Sequence, residues 1–386
     1  MQVIIVLIFG LLTFLGLLVN AGRKLFIWLR PLLNGVSPLI YGVLYGVILV
    51  AILGSFVISR IPNNGVPRII LIIGHYALGF LVYLVMFINF ADLLLFLGKI
   101  VHLLPTPLPR QTALITGAAV MLIAVSVSVY GTVHSLSIKT QSYEVQLHQA
   151  GEGEETDFLQ IVQISDLHLG YLIDQGHVQK IVKAVNAVNP DIVCITGDIF
   201  DGDITSLKDP IALQQLLSEI RAPYGVYACL GNHDAGASYR QMLEFLSGAN
   251  VQVLQDEAVV IDDRLILAGR KDSSPIGGQG DKREEFAIPV GAKHLPVIVM
   301  DHQPGNIREY GDNADLILSG HTHRGQIFPF NFITNAIFDV DYGYYQMPDN
   351  GPQVIVTSGA GTWGPPQRVA TDNEIVSIRV ELPRIN

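Results

Sequence analysis

The chain of 386 residues is half hydrophobic and carries 34 acids against 24 bases, and these charges are unevenly placed. Residues 1–140 hold one acid, Asp92, against eight bases, which leaves 33 acids and 16 bases in residues 141–386. A basic membrane-like body is therefore joined to an acidic water-soluble one, and the acidic part excludes a nucleic-acid groove, which would have to be basic to hold that polyanion.

Four stretches in the first part are almost free of charge: residues 1–20, 37–59 and 113–133 have none, and residues 69–90 carry only His75. A helix needs about 20 mostly apolar residues to cross a hydrocarbon core of about 30 Å. None of the four shows the polar face that a buried helix of a soluble protein repeats every third or fourth residue, so four transmembrane helices are predicted. A cleaved signal peptide is the alternative for the first, with Val19-Asn20-Ala21 as its cleavage site, but no basic residue precedes the apolar run. His75 reads as a packed, hydrogen-bonded histidine rather than as part of a polar pathway. Residues 93–104 stay apolar without being long enough to cross again, which predicts an interfacial stretch. Lys and Arg count five in the first and third loops (Arg23, Lys24, Arg30, Lys99, Arg110) and three elsewhere (Arg60, Arg68, Lys139). That bias places the first and third loops inside, and hence both termini of this multi-pass cell-membrane protein on the extracytoplasmic side.

Past the last helix, residues 138–147 alternate like an edge strand, and Gly151-Glu152-Gly153-Glu154 breaks the pattern as a turn does. A transmembrane domain (1–136) thus passes to a second domain (137–386) with almost no linker. Beyond the turn the pattern becomes strand, loop, helix: 158–164 is an apolar strand, 177–189 places Ile181, Val182, Val185 and Val188 on one helical face, and 191–196 and 226–230 are further strands. Residues 251–269, 296–300, 314–318, 354–357 and 374–380 read mainly as strands. The fold class is α/β, with two sheets face to face and helices outside, and functional groups are expected in loops at the carboxyl ends of parallel strands. Cys194 and Cys229 read as two small buried apolar side chains and form no disulfide framework.

Metal-binding side chains sit in those loops: Asp166 and His168 in Ser-Asp-Leu-His, Asp198 in Gly-Asp, Asn232 in Gly-Asn-His-Asp, His302 in Asp-His, and His321 and His323 in Gly-His-Thr-His. Strand alternation would point both members of Asp166/His168, and of His321/His323, the same way. The inventory is what two neighbouring divalent cations sharing one carboxylate need. Carboxylate, imidazole and carboxamide donors suit Mn²⁺, Fe²⁺ or Zn²⁺, and the lack of thiolates argues against a structural zinc site. Such a pair lowers the pKa of a bridging water and holds phosphoryl oxygens for in-line attack, which points to a hydrolase of phosphate esters or anhydrides.

In order, spacing and residue type these motifs resemble those of the calcineurin-like metallophosphoesterase superfamily, over residues 138–386. The closer likeness is to its membrane-attached branch, with a layout similar to that of the vertebrate transmembrane protein with metallophosphoesterase domain; Ser-Gly-Ala-Gly-Thr-Trp-Gly-Pro-Pro at 358–366, followed by Arg368, belongs to that likeness. The resemblance implies a four-layer α-β-β-α sandwich. It implies that Asp166, His168, Asp198 and His323 hold one metal, that Asn232, His302 and His321 hold the other, and that Asp198 bridges. It makes His233 the group that stabilises the transferring phosphoryl and protonates the leaving oxygen, with Asp201 orienting it. Asp234 reads equally as a helix cap or as a partner behind the ligands, Arg324 as a phosphate-binding or a solvated arginine, and Asp272 and Asn306 as surface polar groups.

A catalytic domain fixed at the membrane suggests a phosphorylated substrate that is lipid-linked or part of the envelope; an anchored enzyme for a soluble phosphomonoester or cyclic nucleotide is also compatible. A different class of reading makes the helices a sensor or transport module and the metal domain non-catalytic, against which the complete ligand set and the intact His233 both speak. The loops at 202–209 and 273–285, which would read the leaving group, follow no interpretable pattern.

Overall fold

The computed structural model describes residues 2–33, 35–147, 156–277, 283–284, 295–348 and 351–383. They fall into two compact units, residues 1–58 with 66–131, and residues 59–65 with 132–386.

Four helices build the first unit: α1 (Gln2–Leu29), α2 (Pro38–Ile58), α3 (Arg68–Ile100) and α4 (Arg110–His134). Each is long and apolar enough to cross a membrane; even the shortest, α2 with 21 residues, spans about 30 Å at a rise of about 1.5 Å per residue. Two run well beyond the spans predicted. α1 continues beyond residue 20 to Leu29, and α3 beyond residue 90 to Ile100, so most of the stretch expected to be interfacial extends a helix instead. No proline interrupts either ladder before Pro31 and Pro105. Their later turns are polar where they meet: Lys24 Nζ lies 2.5 Å from Asp92 Oδ1, and Asn20 donates to Asn89. Close approaches use small residues, Gly74 against Ser55 and Gly117 against Trp28, as expected where lipid removes the hydrophobic drive between helices. His75 is packed as the sequence indicates, its Nδ1 2.8 Å from the Leu71 carbonyl and its ring edge-on to Phe56.

The second unit contains β1 (Ile138–Gln146), β2 (Thr156–Ile164), α5 (Gln175–Val188), β3 (Ile192–Thr196), α6 (Pro210–Ser218), β4 (Val226–Cys229), α7 (Tyr239–Gly248), β5 (Val251–Val253), β6 (Glu257–Ile261), β7 (Leu265–Gly269), β8 (Val297–Met300), β9 (Leu316–Ser319), α8 (Asn331–Ile337), β10 (Gly343–Gln346), β11 (Gln353–Val356) and β12 (Asn373–Pro383). The strands form two six-stranded sheets, in the orders β1-β12-β2-β3-β4-β5 and β10-β11-β9-β8-β7-β6. In the first, β2 to β5 run parallel; in the second, β7, β8, β9 and β11 do. These central strands are continuous apolar runs, such as Ile-Val-Cys-Ile-Thr in β3 with all five residues buried, because both faces of such a sheet are covered.

Three apolar layers hold the sandwich. α5, α6 and α7 pack on one face of the first sheet through Val178, Ile181, Leu213, Leu217, Met242 and Leu246. Between the sheets lie Ile161, Cys194, Cys229, Leu267, Ile298 and Leu318, so both cysteines are the buried apolar side chains expected. Among the described residues, the outer face of the second sheet is covered by Ile307, from a short 3-10 turn at Pro304–Glu309, by Tyr310, which follows that turn, and by Val340 and Met347. Residues leading out of α4 are tied down at once: His134 Nε2 lies 2.7 Å from Asp372 Oδ1, and Asn373 donates to the Ser135 carbonyl. The turn at 151–154 and residues 278–282 and 285 of the second leaving-group loop lie outside the described residues.

Candidate metal centre

Each of the seven ligand candidates follows the carboxyl end of a parallel strand. Asp166 and His168 follow β2, Asp198 follows β3, Asn232 follows β4, His302 follows β8, and His321 and His323 follow β9. The pairs do not share a direction through strand alternation. Asp166 (φ 53°), His168 (φ 47°), Asp198 (φ 50°), His321 (φ 70°) and His323 (φ 49°) are all left-handed, a conformation that costs a non-glycine residue about 1–2 kcal/mol. Five such residues at one place mark a functional constraint on the backbone. The glycines that precede ligands leave room for it. A Cβ on Gly231 would stand 2.2 Å from Asp198 Oδ1, and one on Gly320 would stand 1.9 Å from Ser165 Oγ and 2.3 Å from Asp166 Oδ2.

The donor atoms converge in two sets. In the first, His323 Nε2 is 3.0 Å from His168 Nε2 and 3.3 Å from Asp166 Oδ1. In the second, His321 Nδ1 is 3.0 Å from Asn232 Oδ1 and 3.3 Å from His302 Nε2. Asp198 Oδ2 lies between them, 3.7 Å from His168 Nε2 and 3.2 Å from His302 Nε2. Donors this far apart fit around a cation whose bonds are about 2.0–2.2 Å long. Burial, together with His302, pulls the His321 imidazole down to about 4, and burial pulls His323 well below its ordinary range, so both are in the neutral, ligating form. His302 behaves oppositely: burial lowers it, but Asp198, Asp166 and Asp272 together raise it well above its ordinary value. These carboxylates therefore call for positive charge between them, and the residues present fit two divalent cations.

His233 stands beside the centre. Its backbone N–H donates to Asp198 Oδ1 at 2.9 Å, its ring meets that of His168 edge-on at 5.2 Å, and the centre of the Trp363 ring is 5.9 Å from its own. Burial pulls its imidazole down to about 4. Asp201 comes within 3.6 Å of His168 Nδ1, and its carboxylate, His168 and His233 all offer donor atoms within 4.8 Å of one another. Burial would raise the Asp201 carboxyl, but His168 and Arg60 hold it well below the usual range.

Asp234 caps no helix. It is buried and its carboxylate accepts from Gly231 N at 2.9 Å, Ile199 N at 3.1 Å and Phe200 N at 2.8 Å, which locks the loop after β4 to the loop after β3. Burial and then Asp198 push its carboxyl up to about 7. Asp234→Ala leaves buried N–H groups without acceptors, worth about 3 kcal/mol together. At about 2–4 °C per kcal/mol for a domain of this size, the melting temperature is expected to fall by about 6–12 °C. An unchanged melting curve in detergent would show that the clamp is not structural.

Arg368 is fully buried and donates to the carbonyls of His323 (3.1 Å), Ser358 (2.7 Å) and Gly361 (2.6 Å) and to Asn373 Oδ1 (2.7 Å). It binds the 358–366 segment to the second histidine pair. That segment in turn donates from Ala360 N and Gly361 N to the carbonyls of Ser165 and Asp166, wrapping the first pair. Asp272 is buried rather than superficial and accepts from Gln303 Nε2, and Asn306 donates to Asp301, next to His302. Arg324 stacks on Tyr342, with its guanidinium carbon 4.3 Å from the ring centre. Arg60 and Trp363 border the site with no catalytic signal in the sequence: Arg60 pairs with Asp201 and lies over Trp363.

The calcineurin-like phosphoesterase family profile matches residues 159–325, a span that contains all seven ligand candidates and His233. An uncharacterized metallophosphoesterase of Aquifex aeolicus is 33% identical over 265 residues, which cover 68% of this chain and 98% of that one. A transmembrane protein with metallophosphoesterase domain from Danio rerio is 29% identical over 70% of this chain and 62% of its own. The UDP-2,3-diacylglucosamine pyrophosphatase LpxG of Chlamydia trachomatis is 26% identical over 53% of this chain and 78% of its own. The chain therefore belongs to the calcineurin-like phosphoesterase family, a family of metal-dependent phosphoester hydrolases, and its four apolar helices support a membrane location.

Proposed function

We propose that the chain is a multi-pass membrane hydrolase of phosphate esters or anhydrides that works with two divalent cations, one held by Asp166, His168, Asp198 and His323 and the other by Asp198, Asn232, His302 and His321. The observation that carries this reading is Asp198 Oδ2, placed between the two donor sets at 3.7 Å and 3.2 Å from their imidazoles. When bound, the cations supply Lewis acidity for the phosphoryl oxygens and an activated water for in-line attack. The residues do the rest. Asp198 also accepts the His233 backbone N–H, which holds that residue at the edge of the centre; its imidazole, neutral in the free site, would gain its proton when the phosphate anion is bound and then pass it to the leaving oxygen. Asp201 is read as the carboxylate that orients His233, with which it shares a cluster of donor atoms within 4.8 Å, and at 3.6 Å from His168 Nδ1 it also stands behind a ligating imidazole.

The metal domain is read as extracytoplasmic from the loop charges, and its substrate as lipid-linked. Placement supports the second point, and so does the relative in Chlamydia trachomatis named as a UDP-2,3-diacylglucosamine pyrophosphatase. The deciding experiment offers full-length protein in detergent a matched panel of bis-p-nitrophenyl phosphate, p-nitrophenyl phosphate and a lipid diphosphate, with Mn²⁺, Fe²⁺ or Zn²⁺, or with EDTA. Turnover that EDTA abolishes and that is fastest on the lipid diphosphate is expected. Equal rates on water-soluble esters would remove the lipid reading, and no turnover with metals demonstrably bound would favour a non-catalytic metal domain.

A further inference from the structure

The segment Ser59–Gly65, which joins α2 to α3, belongs to the same compact unit as the sandwich. It touches the site at two places. Arg60 Nη1 is paired with Asp201 Oδ1 and lies 3.3 Å from the Asp201 carbonyl, and Asn64 Nδ2 donates to the Tyr171 hydroxyl at 3.2 Å. The Arg60 guanidinium carbon is also 5.6 Å from the centre of the Trp363 ring, which is in turn 5.9 Å from the His233 ring. The pair is largely removed from water, with the side chains of Arg60 and Asp201 24% and 10% exposed. Arginine is suited to the place: it stays charged, presents a fork to a carboxylate and stacks on an aromatic face, and lysine does these things less well.

We infer that Arg60 is a positioning residue of the hydrolase, supplied to the catalytic centre by the loop between two apolar helices. It clamps Asp201, which stands 3.6 Å from the Nδ1 of the ligand His168, and with Trp363 it walls the side of the site where His233 faces the leaving group. The helical segment then contributes a working part of the enzyme as well as an anchor. The proposed topology agrees with this, since α3 and α4 separate the loop from the sandwich and two crossings return the chain to the same side. The inference rests on the hydrolase reading above.

Removing a partner behind a metal-ligating imidazole costs about 10–100-fold in activity. In the full chain, Arg60→Ala is expected to lower kcat by that factor on the best substrate of the panel, with little change in KM, full metal content and an unchanged melting temperature. Arg60→Lys should recover part of the loss, and millimolar guanidinium added to Arg60→Ala should recover more than the same concentration of ammonium. In an Asp201→Asn background, Arg60→Ala should cost almost nothing further, because the two act through one contact. Should Arg60→Ala fail to fold, Arg60→Lys and Arg60→Gln carry the same comparison. Wild-type kcat in Arg60→Ala, or a loss equally large in the Asp201→Asn background, would overturn the inference and leave the hydrolase intact. A wild-type chain that binds two metals and hydrolyses nothing would overturn the hydrolase reading and this inference with it.

Discussion

Asp198→Asn is expected to abolish most turnover, with kcat/KM falling by at least about 10³-fold, or about 4 kcal/mol of transition-state stabilisation at 1.36 kcal/mol per decade. Of the two carboxylates among the ligand candidates, Asp198 is the one within 4 Å of imidazoles from both sets, His168 on one side and His302 on the other. Asparagine keeps the shape and the oxygen that accepts the His233 N–H but loses the charge, so the variant should fold. Burial would raise the Asp198 carboxyl, and His302 beside it holds it well below the usual range, so the group acts as an anion. Its loss leaves Asp166 as the one carboxylate among the ligand candidates and the second set with neutral donors alone, and the metal content measured on purified protein is expected to fall from two per chain to one or fewer. That second readout separates the bridging role from a purely catalytic one. Two metals retained, with turnover within about threefold of wild type, would show that Asp198 does not join the two sets.

The positions of the ligands were legible because parallel sheets impose a rule that a single sequence can express. Buried parallel strands read as unbroken apolar runs, and polar residues directly after them lie at one edge of the sheet. β3, β8 and β9 are such runs, and Asp198, His302 and His321 follow them. What the pattern did not convey was conformation: two-residue periodicity suggested that Asp166 and His168 share a face, whereas both lie past the strand in left-handed backbone. Glycine at 197, 231 and 320 was the available signal, since only a missing Cβ lets these loops approach the neighbouring ligands so closely.

Other features were hidden for different reasons. β10 is an edge strand with mostly exposed residues, so it has no apolar period to detect. α6 and α7 were not singled out, being only nine and ten residues long and each burying just two or three side chains. Arg368 looked like one residue of a motif, and only the fold shows it anchoring four carbonyls around the histidine pair. Arg60 counted as a loop charge for orientation, because 141 positions separate it from Asp201 and one sequence holds no record of that contact.

His233→Ala tests the chemistry as Asp198→Asn tests the scaffold. The imidazole belongs to neither ligand set, and the contact that fixes it comes from its own backbone N–H, which alanine keeps. Metal content and melting temperature are therefore expected to stay at wild-type values while kcat falls by about 10²–10⁴-fold, the range for a positioned general acid. KM should change little, since a group that acts on the leaving oxygen in the transition state contributes less to ground-state binding. The size of the loss should depend on the substrate. A p-nitrophenolate departs without help, so the variant should lose least on nitrophenyl esters, whereas an alkoxide must be protonated as its bond breaks and the loss should be largest there. A drop of the same size for both leaving groups would mean that His233 stabilises the transferring phosphoryl rather than delivering a proton. A drop accompanied by loss of metal would move His233 into the ligand set.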